Sequence, residues 1–228
     1  MTTADRAPRA PRAHPPSSDP AHRPLVVHGG PAAPRSAVLF LHGGQADGTR
    51  PPPLLNLPAL RMRPFRRAVT RAAMGEAPLL ASVRYRCRGW NGAAADAARD
   101  ARWAVEALVA DHPGLRIVLV GHSMGGRAAL HAGGHPAVRG IVALAPWCPP
   151  EDPVDHLRGK PLALLHDVRD RVTAYQDSRA YGERARLAGA DVEFLTMPRG
   201  RHTMLQEAGK WHRTTARLAR AMLAGGAS

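Results

Sequence analysis

The stretch Leu115–Gly126, LRIVLVGHSMGG, decides the reading of this chain. Its first six residues are apolar except Arg116, the pattern of a strand covered on both faces. Gly121-His122-Ser123-Met124-Gly125 then fits G-x-S-x-G, and the small-residue run RAALHAGG that follows reads as a helix. Between a strand and a helix, the glycines let the backbone turn sharply. The Ser123 hydroxyl then projects at the strand's carboxyl end, beside the helix N-terminus. A structural turn with an ordinary capping serine is the alternative reading of the same residues.

Outward from this turn, short apolar runs alternate with amphipathic stretches. Strands are expected at Pro24–His28, Ala37–Leu41, Pro78–Tyr85, Leu115–Val120, Gly140–Ala145, Pro161–His166 and Asp191–Thr196. Helices are expected at Ala59–Met74 (closed by Gly75), Ala93–Ala110, Ser123–Ala132, Ala174–Leu187 (stopped by Gly189) and Met204–Leu223. Strands separated by helices imply an α/β fold, a three-layer α/β/α sandwich around a mostly parallel sheet. The 228 residues suffice for one compact domain, and no internal repeat is present. The first 35 residues are rich in Pro, Ala, Arg and Ser. Residues 1–23 are therefore expected to be a flexible Pro/Arg-rich tail and 24–228 the folded domain, with fraying from Ala224 on.

The formal net charge is +14, a balance compatible with nucleic acid or an anionic membrane surface. Nearly all of that charge is Arg, scattered along the chain, since Lys occurs only at Lys160 and Lys210. The one cluster, Arg61, Arg63, Arg66, Arg67 and Arg71, reads as the solvated face of a helix. Neither nucleic acid nor a membrane is expected as a partner. Two cysteines, Cys87 and Cys148, suggest no disulfide framework and no metal site. No apolar stretch precedes the first strand and none approaches the ~20 residues that span a bilayer, so a cytoplasmic setting is expected.

The elbow and the element order resemble the α/β-hydrolase superfamily from about residue 24 onward. The resemblance implies a serine hydrolase working without cofactor or metal on a small-molecule acyl substrate. It also implies the chain order Ser, acid, His. The acid belongs after PLALLH, where Asp167-Val168-Arg169-Asp170-Arg171-Val172 compares with His-Gly-x-x-Asp-x-Val. Asp170 stands at the Asp position, while Asp167 replaces the usual Gly and is a rival acid. The base belongs in the loop after the last strand, where His202 stands; His166 and His212 fit that station less well. The oxyanion hole would draw on the Met124 amide and on Gly44 and Gln45 of the turn His42-Gly43-Gly44-Gln45, with His42 orienting the loop.

Substrate-binding candidates are Trp147, Trp90 and Leu55. The link Pro146–Lys160 is too short for a helical cap, so the pocket should be open and shaped by loops Gly44–Pro58 and Arg86–Gly92. Arg84, Arg86 and Arg88 share one face and would favour an acidic substrate if they reached the pocket, against salt bridges or solvent. A Ser at the elbow, and not Asp or Cys, argues against dehalogenase or dienelactone-hydrolase chemistry. Ester or thioester hydrolysis is the leading expectation. A non-catalytic ligand-binding protein of the same fold and an Arg-rich anion- or nucleic-acid-binding protein are the competing classes.

Overall fold

The computed structural model describes residues 23–73 and 77–225. Residues 1–22 of the expected tail 1–23, and Met74 and Gly75 at the end of the first helix, lie outside the described residues, as do 226–228. Seven strands form one sheet: β1 (Leu25–Gly29), β2 (Ser36–Leu41), β3 (Leu79–Val83), β4 (Arg116–His122), β5 (Val138–Leu144), β6 (Pro161–Asp167) and β7 (Asp191–Met197). Their order is β1-β3-β2-β4-β5-β6-β7. Only β1 runs antiparallel, pairing with β3 at the edge. Five helices cover the sheet: α1 (Leu57–Ala72), α2 (Asp96–Asp111), α3 (Met124–Ala132), α4 (Tyr175–Leu187) and α5 (Ala208–Ala224).

The apolar runs become central strands because successive side chains alternate between two buried layers. In β2, Ala37, Leu39 and Leu41 enter the core under α2 and α3. Val38 and Phe40 enter the opposite core with Met62, Phe65 and Val69 of α1 and Trp211 and Leu218 of α5. In β4, Ile117 and Leu119 join the first core and Val118 and Val120 the second. Each buried Leu or Val contributes about 1.5–3 kcal/mol relative to leaving it exposed. Every helix except α2 and α5 lies within two residues of its expected start. The helix α1 begins at Leu57 because the Asn56 side chain accepts from the Ala59 amide. The expected helix from Ala93 starts at Asp96, after a short 3-10 turn at Gly92–Ala94 and a left-handed Ala95. The last helix starts at Ala208 instead of Met204, leaving a loop from 198 to 207.

Between β5 and β6, residues 145–160 hold only a 3-10 turn at Asp155–Leu157, so this link supplies no helical cap over the strand ends. The strand expected at Pro24–His28 is the edge strand β1, although the Pro/Ala-rich bias runs on to residue 35. Both cysteines are unpaired, with Cys148 buried.

Candidate active site

Ser123 stands between β4 and α3 with φ 56 and ψ −122, a left-handed conformation costly for a residue with a side chain. Its neighbours make that turn possible. A Cβ on Gly121 would fall on the Gly125 carbonyl, and one on Gly125 on the carbonyls of Leu41 and His42. The Ser123 amide donates to Leu144 O at 3.0 Å, locking the turn to β5. The hydroxyl is thus presented at the carboxyl end of the sheet, at its middle strand.

His202 comes from the loop between β7 and α5. Three bonds hold that loop. The Arg201 amide donates to Asp167 Oδ2 at 2.8 Å, with Arg201 at φ 48. His122 Nε2–H donates to His202 O at 2.9 Å, and Trp211 Nε1–H donates to Arg199 O at 2.7 Å. So held, His202 Nε2 lies 3.0 Å from Ser123 Oγ, and Nδ1 lies 2.8 Å from Asp170 Oδ2. The arrangement fits Nδ1–H donating to the carboxylate and the serine hydroxyl donating to Nε2.

The Asp170 side chain is fully buried. Its Oδ1 accepts the Val172 amide at 2.8 Å and the Thr173 amide at 3.2 Å, capping the turn into α4. Its Oδ2 faces His202 Nδ1, His166 Nε2 at 3.2 Å and the Thr173 hydroxyl at 3.1 Å. Burial pushes the carboxyl upward, but the donors from His166, His202 and the Val172 amide prevail and hold it well below the usual carboxylate range. Asp167 behaves differently. Its two oxygens accept backbone amides, Arg169 N at 2.9 Å and Arg201 N at 2.8 Å. It ties the two loops together and does not contact the His202 ring.

His122, His166 and Thr173 are positioning groups beyond those read from sequence. His122 is buried, and burial followed by the proximity of His202 lowers its pKa to about 3, so its imidazole is neutral at physiological pH. His166 is buried between Asp170 and the Ser178 hydroxyl, 2.8 Å from its Nδ1. Its position four residues before Asp170 at the strand end was the available signal.

On the other side of Ser123 lies the turn after β2. His42 Nδ1–H donates to Gly43 O at 2.7 Å, and Asn56 Nδ2–H donates to His42 Nε2 at 3.2 Å. His42 thus orients this loop. A Cβ on Gly43 would sit 3.4 Å from Ser123 Cβ, and one on Gly44 would collide with Met124. The Gly43–Gly44 backbone therefore lies directly against the serine and the residue after it. Gln45 is a correction. Its amide donates to Arg88 O at 2.9 Å, and its carbonyl accepts from the Trp90 amide at 2.9 Å, so that N–H is already committed.

The substrate-binding candidates separate. Trp90 is 2 % exposed and is a correction: its face carries the Arg127 guanidinium, 3.9 Å from the ring centre. Trp147, half-buried, covers the same guanidinium at 4.3 Å. Arg127 in turn makes two 2.7 Å bonds to Asp152, which fastens the β5–β6 link to α3. Leu55 is 72 % exposed in the Pro-rich loop. Of the arginine stripe, Arg86 pairs with buried Asp100 at 2.6 Å, and Arg84 donates to Arg23 O at 3.3 Å. Among the described residues no group of His, Cys, Asp and Glu is placed to hold a metal ion. No helix among them is long and apolar enough to cross a membrane.

Sheet order, elbow and element sequence together define the α/β-hydrolase fold, and the chain has that fold. A family model described as serine aminopeptidase, S33, matches residues 84–159, which include the elbow. Solved structures match over most of the chain. An esterase from Pyrococcus furiosus is 17% identical, with a TM-score of 0.62, covering 82% of each chain. The thermophilic esterase Est2 of the planctomycete Thermogutta terrifontis, with propionate bound, is 18% identical at a TM-score of 0.63, covering 89% of each chain. A hormone-sensitive lipase from a metagenome library is 19% identical at a TM-score of 0.63, covering 83% of this chain and 79% of that one. No curated protein matches the sequence significantly.

Proposed function

We propose that this chain is a serine hydrolase that cleaves a carboxylic ester or thioester of a small molecule through an acyl-enzyme. The observation that carries the reading is the His202 imidazole, 3.0 Å from Ser123 Oγ on one nitrogen and 2.8 Å from Asp170 Oδ2 on the other. A serine hydroxyl is a weak nucleophile at neutral pH and needs an adjacent base. His202 Nε2 takes the Ser123 proton as Oγ attacks the acyl carbonyl. Asp170, ionised and buried, holds the imidazole in the Nδ1–H tautomer and stabilises the imidazolium that forms. The charge on the carbonyl oxygen falls to the amides of Met124 and Gly44, the latter in the peptide whose Gly43 carbonyl is bound by His42. His202 then protonates the leaving group, and a water deprotonated by the same ring releases the acid. The fold likeness to proteins described as esterases and lipases supports an ester as the substrate. The open strand ends, without a cap, suit a small substrate. A cytoplasmic protein, 24–228 its single domain, with no nucleic-acid or membrane partner, completes the reading.

Turnover of p-nitrophenyl esters and acyl thioesters of graded chain length tests it, together with labelling by a fluorophosphonate. Ser123→Ala is expected to abolish both while the protein stays folded. Unchanged turnover in that variant would remove the proposal, and turnover of aminoacyl amides alone would move it to peptidase chemistry, as the family model's description suggests.

A further inference from the structure

A cavity of about 670 Å³ opens between α1, the β1–β3 edge and the Pro-rich loop. Ser123, Asp170 and His202 do not line it. Its volume is that of a site for a drug-sized molecule. The lining has two chemistries. Phe40, Met62 and Leu60 supply apolar surface, extended by Leu54 and the prolines at 51–53. Arg63, Arg66 and Arg84 supply guanidinium groups, and no Asp or Glu lines the cavity among the described residues. No carboxylate of the described residues forms a salt bridge with Arg63 or Arg66, which lie one turn apart on α1. Burial followed by the neighbouring Arg66 and Arg63 charges lowers the pKa of His28, which also lines the cavity, so the crowding of positive charge is felt there.

Tyr85 also lines the cavity, but its ring packs in the core under α2 and its hydroxyl is closed off from the open space. Like charges crowded on a partly apolar wall, with no carboxylate of the described residues beside them, form a site suited to a negatively charged group.

We propose that this cavity binds an amphipathic organic anion, a carboxylate or phosphate on an apolar body, with the oxyanion at Arg63 and Arg66 and the body against Phe40, Met62 and Leu60. The cavity shares His42 and Asn56 with the loop beside Ser123, so the ligand rests against the back of that loop. The site does not depend on the hydrolase reading, because Arg63, Arg66 and the apolar wall take no part in that chemistry.

The test is isothermal titration of the full chain carrying Ser123→Ala, which separates binding from turnover. The probes are octanoate, octyl phosphate, octan-1-ol and octyltrimethylammonium. Saturable 1:1 binding of at least one anion is expected, with the alcohol and the cation at least tenfold weaker. The ratio of the two anions tells carboxylate from phosphate. In an Arg63→Ala/Arg66→Ala background the anion's Kd should rise at least tenfold. Tyr85→Phe, at a hydroxyl closed off from the cavity, should leave Kd within about twofold of the parent. Octan-1-ol binding as tightly as either anion would overturn the site. So would anion binding that survives loss of both arginines, or no saturable binding of either anion below the millimolar range.

Discussion

Replacing Asp170 by Asn separates the two jobs of that side chain. The Asn oxygen can keep the Val172 and Thr173 amides that now bond Oδ1 at 2.8 and 3.2 Å. Its NH2 group then faces His202 Nδ1, where the carboxylate accepted at 2.8 Å. Two donors cannot meet there, so His202 is driven to the tautomer with its proton on Nε2, facing Ser123. A base whose lone pair is turned away from the nucleophile cannot take its proton. We expect kcat/KM on a p-nitrophenyl ester to fall about 10³–10⁴-fold, roughly 4–5.5 kcal/mol of transition-state stabilisation. Folding should suffer less. His166 can switch tautomer too, because its other nitrogen faces the Ser178 hydroxyl, which donates or accepts. A loss of about 1–3 kcal/mol, from exchanging charged for neutral hydrogen bonds, is expected in urea unfolding. That loss has a pH signature. The folded carboxyl is held low, so its contribution is complete above the unfolded value of about 4 and fades as pH falls below it. The stability gap between parent and variant should therefore be full near pH 7 and narrow below about pH 4. Asp167→Asn is the control. It leaves the His202 ring alone but can keep only one of the two amides, Arg169 N or Arg201 N, that Asp167 now accepts. Stability should drop by about 1–3 kcal/mol and kcat/KM by less than about tenfold. A Asp170→Asn enzyme within tenfold of the parent, or a Asp167→Asn enzyme as crippled as Asp170→Asn, would refute the assignment of the acid.

Gly125→Ala should prevent the elbow from closing, because the new methyl falls on the backbone carbonyls of Leu41 and His42. We expect a loss of at least about 3 kcal/mol, read as lower soluble yield and thermal midpoint, whereas Gly209→Ala meets only the flexible end of Arg213 and should be tolerated. Arg127→Ala removes the guanidinium between Trp90 and Trp147 and leaves buried Asp152 without its bidentate partner. It should cost about 3–5 kcal/mol, visible as a lower guanidinium-chloride midpoint with an unchanged slope.

The fold was legible because the chain states it twice. Strands buried on both faces must be apolar at every position, and the helices between them must carry a polar face. Helix ends were less legible where ordinary side chains take left-handed conformations. Ala95 at φ 45 and Glu207 at φ 50 precede α2 and α5, and neither residue type announces such a bend. That Ser123 and His202 would face each other could be read because their stations follow from element order and glycine spacing. Gln45 could not be read correctly, since its amide is taken by a carbonyl 43 residues away, on Arg88. Trp90 failed for the same reason: the cation that occupies its face is Arg127, on another element.

The harder discrimination lies among residues of the same kind. Asp167 and Asp170 end one strand region, and His122, His166 and His202 gather around them. Sequence position favours Asp170 and His202 but leaves Asp167 as a rival acid. What separates them is where their partners lie. Asp167 spends both oxygens on backbone amides, whereas Asp170 keeps one oxygen for imidazole donors. His122 gives its one bonded nitrogen to the His202 carbonyl, and its pKa of about 3 keeps it uncharged, so it fixes the loop without adding a second positive charge beside the imidazolium. His166 is sealed between Ser178 and Asp170, out of reach of the serine. Among the described histidines only His202 joins the Asp170 carboxylate to the Ser123 hydroxyl. Its position is set by Asp167 and His122 through the backbone, not through the ring, so the ring is left to move its proton while the loop that carries it stays still.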